Sequence, residues 1–390
     1  MRRSLFCCFL MILLYPVGVD LYLVALPDIA AALGAGEAQL HAAFSLYLLG
    51  MASTVLAGGA LADRIGRKPV VLGGALAFCM ASLAAAAAGG VPALLAARAA
   101  QGVGAGALYI MTFTVLRDVL SRQRLASVLS VVNGAICVVP ALAPALGYLI
   151  QSSLGWRGIF AAMAGLGGLV LLAAGGLLRE TRPAAASEGE GAPLAFLAAP
   201  GFARMCALSS AGVTCILAYV GASPMILMGR LGFSAENYAL AMTALALTSM
   251  AASFLNPWWI ARLGSGRVLG LAHFALGAAA ASLFAAEGLG PAFAPALVLA
   301  GLALVGVGFS AGFGVAMGEA LAACRRRIAL ASAFLCVTQI ASSALYIWTL
   351  GWLGAPPLAM LRYALIGAVL LYLAGLAAPR ASGRCAMEER

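Results

Sequence analysis

Uninterrupted apolar runs of about twenty residues recur along the whole 390-residue chain, and each is long enough to cross a bilayer as a helix. Bounded by charges, Gly or Pro, they fall at about 5–27, 41–62, 70–89, 93–116, 125–150, 157–178, 203–227, 236–256, 267–287, 292–317, 328–352 and 358–378. A water-soluble fold fails on composition, because only 9% of the residues are charged against about 25% in ordinary soluble domains. A transmembrane barrel would alternate polar and apolar residues, whereas these runs are continuous. The expectation is therefore an all-α integral membrane protein of twelve transmembrane helices. The first run follows Arg2 and Arg3 like a signal peptide, but it is too long for an h-region and has no small-residue cleavage site, so it is kept as span one.

The basic residues orient this bundle. Nineteen of the 23 Lys and Arg fall at the ends or in every second connection, including Arg64, Arg67, Lys68, Arg117, Arg122, Arg124, Arg262 and Arg267. Cytoplasmic loops retain such charges, so both termini are expected in the cytoplasm. Dispersed in short loops, the bases do not form a nucleic-acid footprint. The nine cysteines show no zinc-ligand spacing and read as small apolar residues, and no metal site is expected.

The longest connection is polar and rich in Gly, Pro and Glu, as a flexible linker is. It divides the chain into a six-helix half at 1–180, a central loop at 181–202, a second six-helix half at 203–380 and a tail at 381–390. A weak repeat supports the cut: Arg64-Ile65-Gly66-Arg67 after span two is echoed by Arg262-Leu263-Gly264-Ser265-Gly266-Arg267 after span eight. Two similar halves are what alternating access requires.

Gly59-Ala-Leu-Ala-Asp63-Arg64-Ile-Gly66-Arg67-Lys68 forms a tight turn between spans two and three. Gly66 supplies backbone freedom, and Asp63 can accept from an Arg or a helix terminus. A simple positive anchor explains the bases but not Asp63 or the glycines. The stretch resembles, position for position, the signature loop of the major facilitator superfamily. Leu94-Leu-Ala-Ala-Arg98-Ala-Ala-Gln101-Gly102-Val-Gly104-Ala-Gly106 is similar to that superfamily's proton-coupling motif. Pro140-Ala-Leu-Ala-Pro144-Ala-Leu-Gly147 resembles its antiporter motif, departing from it at Ala143 and Tyr148. Span one, with Tyr15-Pro16-Val-Gly18-Val-Asp20-Leu-Tyr22, resembles the Bcr/CflA branch of drug/proton antiporters. The resemblance implies proton-coupled efflux of small amphipathic drugs by two six-helix halves. It implies a bacterial inner-membrane protein, acting as a monomer, whose partners are drugs, protons and the bilayer. No cofactor is expected beyond the proton gradient, and no nucleotide-binding loop is present in the sequence.

Bottom-up, coupling rests on Asp20, a carboxylate inside a span, where a charge costs about 2.5–3.5 kcal/mol on insertion scales. Residue counting places Asp20 and Arg98 at similar depths below the outer boundary, which permits an ion pair. Arg98 would then tune the proton affinity of Asp20. A static buried pair fixing two helices is the competing reading. Pro140, Pro144 and Gly147 suit a hinge in span five, with simple packing equally open. Tyr22, Tyr47, Tyr109, Asn133, Tyr219 and Gln339 are candidates for a drug cavity, the amides because an amide in a membrane needs a partner. His41 and His273 have no metal partners and read as structural. A metabolite or sugar transporter on the same fold remains an alternative. A membrane transferase or a sensor is disfavoured, since no nucleophile–base set and no output domain is visible.

Overall fold

The computed structural model describes residues 2–182, 197, 201–288, 290, 292–322 and 328–377. Within helices, the side chains of 2, 56, 122–123, 125–127, 129–131, 133–135, 137 and 328–330 are also outside that description. The candidate Asn133, most of the central linker, the Arg325–Arg327 cluster and the tail at 381–390 therefore lie outside the described residues.

Among the described residues every regular element is helical. Span one is built from Arg2–Asp20, the short turn Leu23–Ala25 and Leu26–Leu33. Spans two to four are Glu37–Ile65, Arg67–Ala86 and Val91–Val119. Arg122–Leu177 runs on as one helical stretch, broken only at Gly155 (φ 67°, ψ −177°), which separates spans five and six. Span seven, Phe202–Pro224, continues through the π-helical turn Met225–Arg230. Spans eight to twelve are Ala235–Leu263, Ser265–Gly288, Ala294–Ala322, Ile328–Trp352 and Pro357–Ala377. Ten helical stretches are long and apolar enough to cross a membrane, and the pair Glu37–Val55 and Ala57–Ile65, bent by 44°, supplies an eleventh. Dividing Val138–Leu177 at Gly155 gives twelve, in agreement with the sequence.

Small residues set how closely these helices pack, as they do where lipid removes the hydrophobic drive between helices. A Cβ on Gly102 would collide with the Tyr47 carbonyl, one on Gly106 with the Met51 carbonyl, and one on Gly104 would lie 2.5 Å from the Phe78 nitrogen. Span four is thereby pressed against span two on one side and span three on the other. In the second half, a Cβ on Gly312 would lie 3.0 Å from Ala272, and Asn256 donates to the Ser310 and Ala311 carbonyls at 3.2 and 3.3 Å. The glycines of spans four and ten are packing residues.

Span one departs from the expected straight helix. Its helical path runs to Leu33, past the expected end at 27, and is interrupted immediately after Asp20. Pro140 and Pro144 lie inside a helix that keeps its dihedrals through both, the break falling at Gly155.

Candidate functional site

Two polar constellations stand out. The first surrounds Asp20, the last residue of the first helix of span one, which is only 7% exposed. Gly147 makes room for the interrupted segment: a Cβ there would collide with the Leu21 carbonyl and lie 3.0 Å from Val24. The antiporter-like motif of span five therefore packs directly against the break that presents Asp20. Tyr15, Tyr22, Tyr47, Tyr219 and Tyr238 all lie within electrostatic reach of this carboxyl group. They come from spans one, two, seven and eight, so Asp20 sits where the two halves meet.

Arg98 is fully buried in span four. Its guanidinium carbon lies 4.2 Å from the centroid of Tyr22 and 4.4 Å from that of Tyr47. One nitrogen donates to Gln101 at 2.5 Å, and Gln101 in turn donates to the Ser82 hydroxyl at 2.7 Å. Among the described residues Nε and Nη2 have no partner at hydrogen-bond geometry, and neither does the Tyr22 hydroxyl, although Arg98 and Tyr22 interact electrostatically. No carboxylate lies within ion-pair distance of Arg98 among the described residues. The ion pair that similar depths permitted between Asp20 and Arg98 is absent in this conformation. The reason is local: two aromatic faces, each worth about 2 kcal/mol or more to a desolvated cation, occupy the guanidinium instead.

The candidate cavity residues accordingly divide. Tyr22 and Tyr47 are buried against Arg98 in this conformation. Gln339 is pinned by its donation to Ser209 at 2.6 Å, and the Tyr219 hydroxyl donates to the Met242 sulfur at 3.6 Å. Tyr109 is half-buried, with Tyr15 and Phe113 edge-on at 5.6 and 5.0 Å, and lies within electrostatic reach of Cys336 on span eleven. A separate, mainly apolar cavity of about 140 Å³ is lined by Trp259, Val268, Ala272, Val307 and Gly308 of the second half, and Asp20 is not part of it. His273 stacks on Tyr372 at 4.3 Å and bonds the Leu269 carbonyl, consistent with a structural role.

The second constellation is the signature loop. Arg67 is nearly buried and pairs with Asp63 at 2.9 Å and Asp118 at 3.0 Å, while donating to the Ala62 carbonyl at 2.9 Å. Glu180 accepts backbone N–H groups from Arg67, Lys68, Thr181 and Arg182 at 2.8, 3.1, 3.0 and 2.9 Å. Lys68 donates to the Gly175 carbonyl at 2.8 Å, and Arg182 to that of Arg64 at 3.0 Å. Gly66 has φ 100°, and a Cβ on it would lie 2.5 Å from the Glu180 carboxylate, so the turn requires glycine twice over. Burial raises the Glu180 carboxyl, but the four N–H donors outweigh it and hold the group below the ordinary carboxylate range. Gly59 has open space around it and takes no part in these bonds. Asp118 and Glu180 were not singled out from the sequence, although both are acids in otherwise basic connections.

A bundle of twelve spans that buries a carboxylate where its halves meet is a polytopic membrane transporter scaffold. The Major Facilitator Superfamily profile matches residues 8–345, and the chain belongs to that superfamily. It is 44% identical over 387 residues to the multidrug resistance protein MdtL of Shewanella oneidensis, covering 98% of this chain and 97% of that one. It is 42% identical over 379 residues to MdtL of Klebsiella pneumoniae, covering 96% and 94%. The fold is shared with a D-xylose–proton symporter, with a TM-score of 0.77, 15% identity and coverage of 95% of this chain and 97% of that one. A bacterial homologue of the human lysosomal transporter Spinster in an inward-facing, unoccupied conformation gives a TM-score of 0.74 at 15% identity, covering 96% and 95%.

Proposed function

We propose that this chain exports small amphipathic drugs in exchange for protons, by alternating access of its two halves, with Asp20 as the proton carrier. The observation that carries the reading is a buried, unpaired carboxylate at a helix break, ringed by residues of both halves. Intramembrane ionisable groups in such places serve transport. The MdtL relatives supply the substrate class. Arg98 is the cation that tunes Asp20 when the conformation changes. The signature loop closes the basic end, which we place in the cytoplasm with both termini on the grounds of charge distribution. The protein works as a monomer in a bacterial inner membrane, and the proton gradient is its energy source without any cofactor.

The test is export of a small drug panel from efflux-deficient cells expressing wild type or Asp20→Asn, with and without a protonophore. Export that collapses under both conditions is expected. Export that survives both would replace exchange by facilitated transport and leave Asp20 a packing residue.

A further inference from the structure

Tyr47 is tied to three elements at once. Its carbonyl lies against Gly102 of span four, one helical turn beyond Arg98, at a spot only a glycine leaves free. Its ring carries the Arg98 guanidinium. Its hydroxyl donates to the carbonyls of Tyr15 at 3.0 Å and Leu14 at 3.4 Å, next to Pro16, where span one has one N–H fewer. A Cβ on Gly18 would collide with that hydroxyl. Two residues later the helix stops at Asp20.

We propose that Tyr47 is a positioning residue that withholds Arg98 from Asp20, its ring face holding the guanidinium while its hydroxyl fixes the segment of span one that ends in the carboxylate. The inference rests on the reading of Asp20 as the proton carrier. Arg98 keeps two unpartnered N–H-bearing nitrogens in a buried site, a costly arrangement for a charge, so an anion is its natural partner once the rings let go. Movement of span two relative to span one would then release the cation toward the carboxylate and expel the proton.

The ionisable groups facing Asp20 are Tyr15 and Tyr22 of span one, Tyr47 of span two, Tyr219 of span seven and Tyr238 of span eight, and Arg98 of span four stands behind two of them, Tyr22 and Tyr47. Spans five and six pack on the neighbouring residues, Gly147 on Leu21 and Phe160 on Tyr22. Among the described residues Arg98 is the one cation that touches these tyrosines, so its release moves Asp20 in one direction, toward the ionised form.

The readout is the infrared carboxyl band that disappears in Asp20→Asn, followed against pH in the purified, detergent-solubilised protein. Tyr47→Leu should move its midpoint toward acid by about one pH unit or more. Tyr47→Phe keeps the ring and should move it by less than half as much. In an Arg98→Gln background Tyr47→Leu should have no effect, an outcome that a merely structural tyrosine would not give. If Tyr47→Leu does not fold, Tyr22→Leu removes the other face of the clamp and is expected to act in the same direction. An unmoved midpoint, or a shift that persists without Arg98, overturns the role of Tyr47 and leaves Asp20 intact. Absence of any Asp20-dependent band overturns the proton-carrier reading and this inference with it.

Discussion

Gly102 shows how much of this molecule is set by a missing methyl group. A side chain there would run into the backbone of span two, which cannot move aside as a flexible side chain can. Gly102→Ala should therefore cost about 1–3 kcal/mol, the usual penalty of overpacking, read as a lower melting temperature in detergent. Gly73, on span three, has open space around it, and Gly73→Ala should stay within about 0.5 kcal/mol of wild type. Equal effects of the two substitutions would show that the approach of spans two and four is not steric. The same reasoning separates the two acids that hold Arg67. Asp118 is buried and Asp63 is 60% exposed. Asp118→Asn should cost about 2 kcal/mol, because it leaves a buried guanidinium short of charge, while Asp63→Asn should cost under about 1 kcal/mol.

At the scale of elements, Glu180 fastens the end of span six to the first turn of span three by accepting the N–H groups of Arg67 and Lys68. Its folded pKa is depressed, so the stability it contributes is fully present above the unfolded value, near about 4.3, and is lost as pH falls through the folded value. Thermal unfolding between neutral pH and about pH 3.5 should show a falling melting temperature that flattens in Glu180→Gln. An unchanged slope would remove Glu180 from the account. The helices themselves were legible in the sequence, because each is a long apolar run ended by charge, Gly or Pro. The signature turn was legible because Gly66 and Asp63 have no role in a bare basic anchor. The break after Asp20 was not legible, since Leu21-Tyr-Leu-Val-Ala25 reads as uninterrupted apolar helix and only the close approach of Gly147 accounts for it. The depth argument permitted a pair between Asp20 and Arg98 without predicting one, and it counted charges but not the aromatic faces that compete for the guanidinium.

For the whole molecule, alternating access requires contacts between halves to break at one end while contacts within a half persist. At the end remote from the signature loop, His41 of span two packs on span eleven, its Cβ 3.0 Å from the position a Cβ would take on Gly351, and the Phe44 ring lies 3.3 Å from the position a Cβ would take on Gly221 of span seven. His41 is buried, and among the described residues neither ring nitrogen has a partner, so this contact can open without breaking a hydrogen bond to the ring. A disulfide needs Cβ atoms about 3.8 Å apart, a small relaxation from this geometry. His41→Cys with Gly351→Cys should cross-link under oxidation, abolish drug export, and recover on reduction, with each single variant unaffected by the oxidant. The contrasting pair lies within one half, where a Cβ on Gly167 of span six would sit 3.2 Å from the Cβ of Cys79 on span three. Gly167→Cys should cross-link to the native Cys79, and export should continue, because spans three and six travel together. Export by the His41–Gly351 cross-linked protein would show that this contact need not open during transport. Arrest by the Cys79–Gly167 bridge would show that the first half flexes internally instead of moving as a body.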